Sequence, residues 1–364
     1  MNHTYMFTGF PGFIASAIAE ELITSRDDIK KLYFLVLPKE IEKAEEKLSQ
    51  LRNKVGKRKI DLELVLGDIT KSDLGIDPEI ANRLKGEIDY YFHLAAIYDL
   101  AVPKKIAYQV NVVGTRHVGD WLKECLKLQR YIYFSTAYVS GSREGVILET
   151  ELACGQTFKN HYEETKYQAE VIVENDKQTL PTTIIRPGVV RGHSKTGETT
   201  KFDGPYFVLN LFNRLGKIGA LPYIGSGGAD GNFVPIDYVI QATSYLAHAT
   251  KAEGKTYHIT DPNPYSMKQV YEVLHQEMIG RKPIGSVPLS LSKFLLTPKW
   301  MQRWVGVERE ALDYFTCMSR YDCSNTLTDL KGSGITCPRF EETAGTMVRY
   351  YKDHCKVKEK YIKI

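Results

Sequence analysis

No apolar run in this chain of 364 residues approaches the roughly 20 that a membrane helix requires. The first residues enter the apolar run Tyr5-Met6-Phe7 without the charged segment and apolar core of a signal peptide. The six cysteines, at 125, 154, 317, 323, 337 and 355, form no CxxC pair and have no histidine at zinc-site spacing, so no metal is expected. Reduced thiols in a cytoplasm fit that pattern, with peripheral membrane contact left open. Charge of one sign is also scarce. The formal excess of +4 is spread along the chain and offers no basic stripe for a nucleic acid, so no such partner is expected. The basic end from Lys356 to Lys363 reads as a solvated tail, with an anionic surface or carrier as the other reading. Internal repeats and low-complexity segments are lacking too. The apolar and charged fractions are those of a soluble protein with a substantial core, in one large domain or two ordinary ones.

What is present is organised around Thr8-Gly-Phe-Pro-Gly-Phe-Ile-Ala15. This stretch follows an apolar run and opens into Ile14, Ile18 and Leu22 at four-residue steps, so it reads as strand, Gly-rich turn and helix. Such a turn presents backbone N–H groups to an anion. Gly9 suits the tight bend, Gly12 lets a pyrophosphate approach, and Ala15 allows close helix packing. An ordinary strand-to-helix turn that binds nothing has the same pattern, so later residues must decide.

Further strands are expected at Lys31–Leu37, Leu62–Gly67, Ile88–Leu94, Tyr131–Ser135 and Thr182–Arg186, several of them apolar throughout, as in a parallel sheet covered on both faces. The second ends Leu37-Pro38-Lys39, without the carboxylate that would hold the adenosine ribose of NAD. NADP(H) is therefore favoured over NAD(H). Lys39, Lys43 and the cluster Lys54, Lys57, Arg58 and Lys59 are candidates for a 2′-phosphate or plain surface charges. Asp68 either accepts from the adenine amino group or caps the next turn. Ser135 and Thr136 close a strand at the edge where open α/β sheets place their chemistry. Tyr162 and Lys166 share one helical face, bringing an ammonium near a phenol. From His193 to Gly231 the chain turns rich in Gly, Thr and aromatics around an apolar helix at Tyr206–Leu215. Sheet-like runs return at Phe233 and Thr256, and from Met267 the pattern is mainly helical.

Taken in order, Thr8-Gly9-x-x-Gly12-x-x-Ala15, His93-Leu-Ala-Ala96, Asn111-Val-Val-Gly-Thr115, Ser135-Thr-Ala-Tyr-Val139 and Tyr162-x-x-x-Lys166 resemble the extended short-chain dehydrogenase/reductases. Ser135–Gly141, Arg186–Glu198 and Gly204-Pro-Tyr206 are similar to one branch, the thioester reductases and fatty acyl-CoA reductases with male-sterility-type NAD-binding domains. The resemblance runs from about residue 4 to residue 275. It departs from the family pattern at Leu37-Pro38, where an Arg often stands.

The resemblance implies an α/β fold, a Rossmann-type doubly wound parallel sheet with a smaller, mainly helical C-terminal substrate-binding portion. Residues 1–192 would form the dinucleotide-binding core, 193–232 an insertion contributing to the substrate site, 233–260 a return to the sheet, and 261–364 the helical portion and tail. It implies coenzyme contacts from Thr8, Gly9, Phe10, Pro11, Gly12, Phe13 and Ile14, from Lys39, Asp68, Ile69, Ala95, Ala96 and Asn111, and from Ser135, Tyr162, Lys166, Pro187, Gly188 and Val189. Thr136, Tyr162 and Lys166 would be catalytic, with Ser135 in reserve. Lys166 together with the positive nicotinamide ring of a bound coenzyme is expected to draw the Tyr162 pKa down from near 10 towards working pH.

The function implied is NAD(P)H-dependent reduction of an acyl thioester, acyl-CoA or acyl-carrier protein, to aldehyde or alcohol. The thioester is expected in trans. Phe207, Leu209, Leu211 and Phe212, with Phe294, Leu295 and Leu296, either line an acyl channel or pack a core. Alternatives are an extended reductase or epimerase acting on a hydroxysteroid, dihydroflavonol or nucleotide sugar, and a non-catalytic dinucleotide-binding regulator. For a nucleotide sugar, Arg191, Lys195, Lys201 and Arg214 would hold the diphosphate.

Overall fold

The computed structural model describes residues 2–98, 102–216, 219, 221–225, 227–307, 309, 312 and 318–361. Cys317, Ile362 and Lys363, noted above, lie outside the described residues. Seven strands form one sheet: β1 (His3–Thr8), β2 (Ile29–Val36), β3 (Asp61–Leu66), β4 (Tyr90–His93), β5 (Arg130–Phe134), β6 (Thr182–Pro187) and β7 (Thr256–Ile259). Their spatial order is 3-2-1-4-5-6-7, and every neighbouring pair is parallel. The chain starts at the middle, steps outward to β3, then crosses back past β1 to β4. Connections leaving β1 and β4 therefore diverge, and a crevice opens at their carboxyl ends.

Side-chain alternation builds a core on each face. Tyr5 and Phe7 join Phe34, Phe92 and Tyr257 beneath α1 (Phe13–Ser25), α2 (Ile41–Val55) and α7 (Ile236–His248). Met6, between them, joins Tyr33, Tyr91 and Tyr131 on the opposite face, under α3 (Pro78–Lys85), α4 (Gly114–Leu122) and α5 (His161–Asp176). Burial of both faces is why these strands read as unbroken apolar runs. A third core holds α6 (Tyr206–Leu215), α8 (Met267–Ile279) and α9 (Phe340–His354) together through Leu209, Phe212, Tyr271 and Met347. Of the two runs expected to rejoin the sheet, Thr256–Ile259 does so as β7, whereas Phe233–Pro235 pairs outside it with Val189–Arg191. Among the described residues no helix is long and apolar enough to cross a membrane.

An ion pair is buried between α5 and β6. Glu170 Oε1 accepts from Arg186 Nε at 2.8 Å and Nη2 at 2.5 Å, and both residues are at most 1% exposed. Arg186 Nη1 also reaches His258 Nε2 on β7, at 3.2 Å. His258 Nδ1 lies 2.8 Å from the Asp322 carbonyl, which can only accept, so the imidazole is protonated on Nδ1 and takes the Arg186 proton on Nε2. Burial holds its pKa down to about 3. Beside it, Glu149 Oε1 accepts from the His258 N–H at 2.8 Å and the Thr326 hydroxyl at 2.7 Å, tying β7 to the C-terminal segment.

Removing one partner of such a pair leaves an uncompensated charge in the interior. Arg186→Met is expected to lower the unfolding free energy by about 3–5 kcal/mol in urea titration, and adding Glu170→Leu should recover most of that loss. A double variant as unstable as the single one would refute this account.

Candidate active site

The Gly-rich turn is held by hydrogen bonds around Thr8. Its Oγ1 accepts from the N–H groups of Leu94 and Ala95, both at 3.1 Å, and donates to His93 Nδ1 at 2.7 Å. His93 Nε2 lies 3.1 Å from Thr115 Oγ1, whose own proton goes to the Asn111 carbonyl at 2.6 Å. That inventory places the imidazole proton on Nε2. Burial, with the nearby Lys166 charge, holds the His93 pKa down to about 3, so the ring is a neutral strut between β1, β4 and the helix leading into α4.

Gly9 has φ +86°, and a Cβ there would lie 2.8 Å from the Leu94 carbonyl carbon. At Gly12 a Cβ would come within 2.5 Å of the Gly9 oxygen. Both positions need glycine. Phe10 turns inward onto Phe34, with ring centroids 4.2 Å apart, while Pro11, Phe13 and Ile14 stay partly exposed at the crevice mouth. Helix α1 starts with no side-chain cap and no acidic residue in its first turn, so its leading N–H groups are free for an anion. A dinucleotide pyrophosphate fits this cradle.

Asp68 Oδ1 accepts from the Thr70 N–H at 2.9 Å and hydroxyl at 2.7 Å, so this carboxylate caps the turn after β3. Ile69 packs beneath the chain at Gly114, where a Cβ would lie 2.7 Å from its Cδ1. Lys39 is exposed just past β2, at the crevice edge, and Lys43 nearby pairs with Glu40 at 3.1 Å. The expected cluster further on is at the wrong end. Helix α2 has by then run back to the amino edge of the sheet, where Arg58 donates to the carbonyls of Ile23 and Arg26 and Lys54 pairs with Glu20 at 2.9 Å. Lys57 and Lys59 flank Arg58 at that edge, so none of the four faces a coenzyme phosphate.

The loop after β4 carries the half-buried Ala95 and Ala96. Asn111 lies in a wide helical turn, Tyr108–Val113, of a kind that recurs at functional sites. Its Oδ1 accepts from the Ile97 N–H at 2.9 Å, while Nδ2 donates to the Ile97 carbonyl at 3.1 Å and to Thr165 Oγ1 at 3.0 Å. Asn111 thus staples the β4 loop to α5. Across the crevice, Gly188 closes on Asn232, whose carbonyl oxygen a Cβ would approach to 2.7 Å, and Val189 donates its N–H to that carbonyl at 2.9 Å. Pro187 is the last residue of β6.

At the end of β5 the two hydroxyls divide. Ser135 Oγ donates to Glu170, inside the buried pair, and is withdrawn from the reserve role. Thr136 caps the next turn, accepting from the Tyr138 N–H at 3.3 Å, and its hydroxyl lies beside the Tyr162 phenol. Burial pushes the Tyr162 pKa up to about 12, against the pull of Thr136 and with a small push from Glu163. The pull expected from Lys166 is not among these influences. The cause is the position of the ammonium: Lys166 Nζ donates to the Phe134 carbonyl at 2.6 Å and Tyr133 Oη at 3.0 Å and lies 4.4 Å from the Tyr133 ring centre. Burial lowers its own pKa to about 7, partly opposed by Glu170. Tyr133 and Glu170 escaped the sequence reading. The signals were there, since Tyr133 shares a strand face with Ser135, and Glu170 stands one helical turn beyond Lys166.

Fold and crevice together define an NAD(P)-dependent oxidoreductase of the extended short-chain dehydrogenase/reductase type. The sequence model of the male sterility protein family, an NAD-binding family, matches residues 7–243, and the chain belongs to that family. It is similar to fatty acyl-CoA reductase 1 of Arabidopsis thaliana, at 23% identity over 78% of this chain and 72% of that protein. It is also similar to the alcohol-forming fatty acyl-CoA reductase of Simmondsia chinensis, at 26% over 76% and 70%. Among solved structures, the terminal R domain of the myxalamid PKS-NRPS biosynthetic pathway superposes with a TM-score of 0.80 at 24% identity, covering 98% of this chain and 92% of that one.

Between about pH 7 and about pH 10.5 the unfolded chain binds a proton on Lys166 that the folded chain does not. Stability from this group is therefore lost as pH falls through that window and gained as pH rises. Lys166→Met should flatten the rise. Denaturation midpoints measured across the window check it, and parallel profiles for wild type and variant would count against a depressed lysine.

Proposed function

We propose that this protein reduces an acyl thioester, carried by coenzyme A or an acyl-carrier protein, to the aldehyde, with a second reduction giving the alcohol. The observation that carries the reading is Tyr162, a phenol beside Thr136 at the end of β5 and one helical turn before Lys166, with burial keeping its proton on. The kinship with fatty acyl-CoA reductases supports the choice of substrate class.

When bound, the reduced nicotinamide supplies the hydride. Thr136 holds the thioester carbonyl oxygen against Tyr162 and stabilises charge developing there, worth about 3 kcal/mol if preorganised. Tyr162 Oη gives its proton to that oxygen, yielding a hemithioacetal, and the C–S bond then breaks to release aldehyde and thiol. Lys166, fixed by Tyr133 and the Phe134 carbonyl, is placed to hold the nicotinamide ribose. The turn 8–15, with the β4 loop and Pro187–Val189, cradles the rest of the dinucleotide.

Two details narrow the substrate. Arg191, a candidate for a sugar diphosphate, is 1% exposed, donates to Thr343 at 2.6 Å and stacks on Phe340, so it serves the third core. The expected acyl-channel residues separate: Leu209 and Phe212 are core, Leu296 is buried, Phe207 and Leu211 are half-buried against it, and Phe294 and Leu295 face outward. We place the protein in the cytoplasm and assign NADPH as donor, with Lys39 on the 2′-phosphate.

Tyr162→Phe should cut acyl-CoA-dependent NADPH oxidation by about 10²–10⁴-fold while leaving dinucleotide affinity nearly intact. Retained turnover refutes the assignment, and oxidation driven by aldehydes alone refutes the thioester. Lys39→Ala should raise the KM for NADPH about tenfold, the loss of one hydrogen bond to a charged group, and leave that for NADH unchanged.

A further inference from the structure

The short helices Leu289–Leu295 and Lys299–Val305 have one face accounted for: Leu289, Leu296, Met301 and Val305 pack with Phe207 and Leu211 of α6. The opposite face of a solvated helix should be polar. Here it is not. Phe294 is 72% exposed, Trp300 64%, Leu295 52%, Leu291 48% and Trp304 47%, and Ile284, in the loop before the first helix, is 71% exposed. Two of the chain's three tryptophans are on this surface, while the third, Trp121, is 2% exposed.

Charge says what covers it. Arg281, Lys282, Lys293, Lys299 and Arg303 fall in this stretch, and no acidic residue occurs between Glu277 and Glu308. Exposed Trp, Phe and Leu interleaved with Lys and Arg suit the boundary between acyl chains and anionic headgroups, where indole rings settle and each cation gains from the surface potential. We propose that the face formed by 281–304 docks the protein on an anionic phospholipid membrane, as a peripheral contact that needs no spanning helix. This goes beyond the reductase reading and does not depend on it.

Flotation of the full chain with vesicles of phosphatidylcholine, or of phosphatidylcholine and phosphatidylserine in equal parts, tests the proposal. Co-flotation is expected with the mixed vesicles, weaker with phosphatidylcholine alone, and falling as salt is raised. Tryptophan emission should shift to the blue on binding, reporting Trp300 and Trp304 because Trp121 is already buried. Lys282→Glu with Lys299→Glu should reduce partitioning by about tenfold or more, and Phe294→Ala with Trp300→Ala and Trp304→Ala should abolish it. Because these side chains are exposed, unchanged thermal unfolding shows that the variants are folded. Failure to float with the mixed vesicles, equal binding to neutral ones, or binding that survives both sets of substitutions would overturn the proposal. So would capture of an acidic acyl-carrier protein by this face while vesicles are ignored.

Discussion

The crevice depends on a neutral imidazole. His93 takes the Thr8 hydroxyl proton on one nitrogen and gives its own to Thr115 from the other, while Thr8 collects the N–H groups of Leu94 and Ala95. Each atom in the chain has its partner, so the ends of β1 and β4 cannot drift relative to the turn between Thr8 and Gly12. A charged imidazole would donate from both nitrogens and leave Thr8 facing a donor where it needs an acceptor. Burial, which holds the His93 pKa near 3, thus keeps the arrangement in one protonation state. The close approach of Gly9 to the Leu94 backbone follows from it, and with that the space left for a pyrophosphate above α1.

A second polar system lies behind the chemistry. Glu170 accepts from Arg186 and Ser135 together, which removes Ser135 from the crevice and leaves Thr136 as the hydroxyl beside Tyr162. Glu170 also faces Lys166 from one turn away and opposes the loss of its charge. The same buried carboxylate therefore ties α5 to β6 and, against the effect of burial, favours the charged form of Lys166.

The parts legible in the sequence are those governed by local pattern. Strands buried on both faces announced themselves as apolar runs, the α6 segment was bounded correctly at Tyr206–Leu215, and the Gly-rich turn declared its own conformation at Gly9. What escaped depends on partners far along the chain. Arg58 is near Lys39 in sequence, but an intervening helix carries it to the other edge of the sheet. Tyr162 and Lys166 share one helix face, as their spacing says, yet the ammonium does not pull on the phenol because it binds β5, 33 residues earlier at Tyr133. Phe294 and Leu295 read as channel lining or core and are neither, because composition alone does not say which side of a short helix meets the core.

The protonation of Tyr162 bears on the direction of reaction. A phenol held near 12 is protonated throughout the neutral range, so this state of the protein presents an acid and almost no base. An oxygen that has just received the electron pair of a carbonyl is more basic than a phenolate, and proton transfer to it runs downhill even from a weak acid. Oxidation of an alcohol would need the phenolate, which the buried surroundings disfavour. Burial likewise draws the Lys166 pKa down to about 7, so the groups on this face of α5 are both held towards their neutral forms.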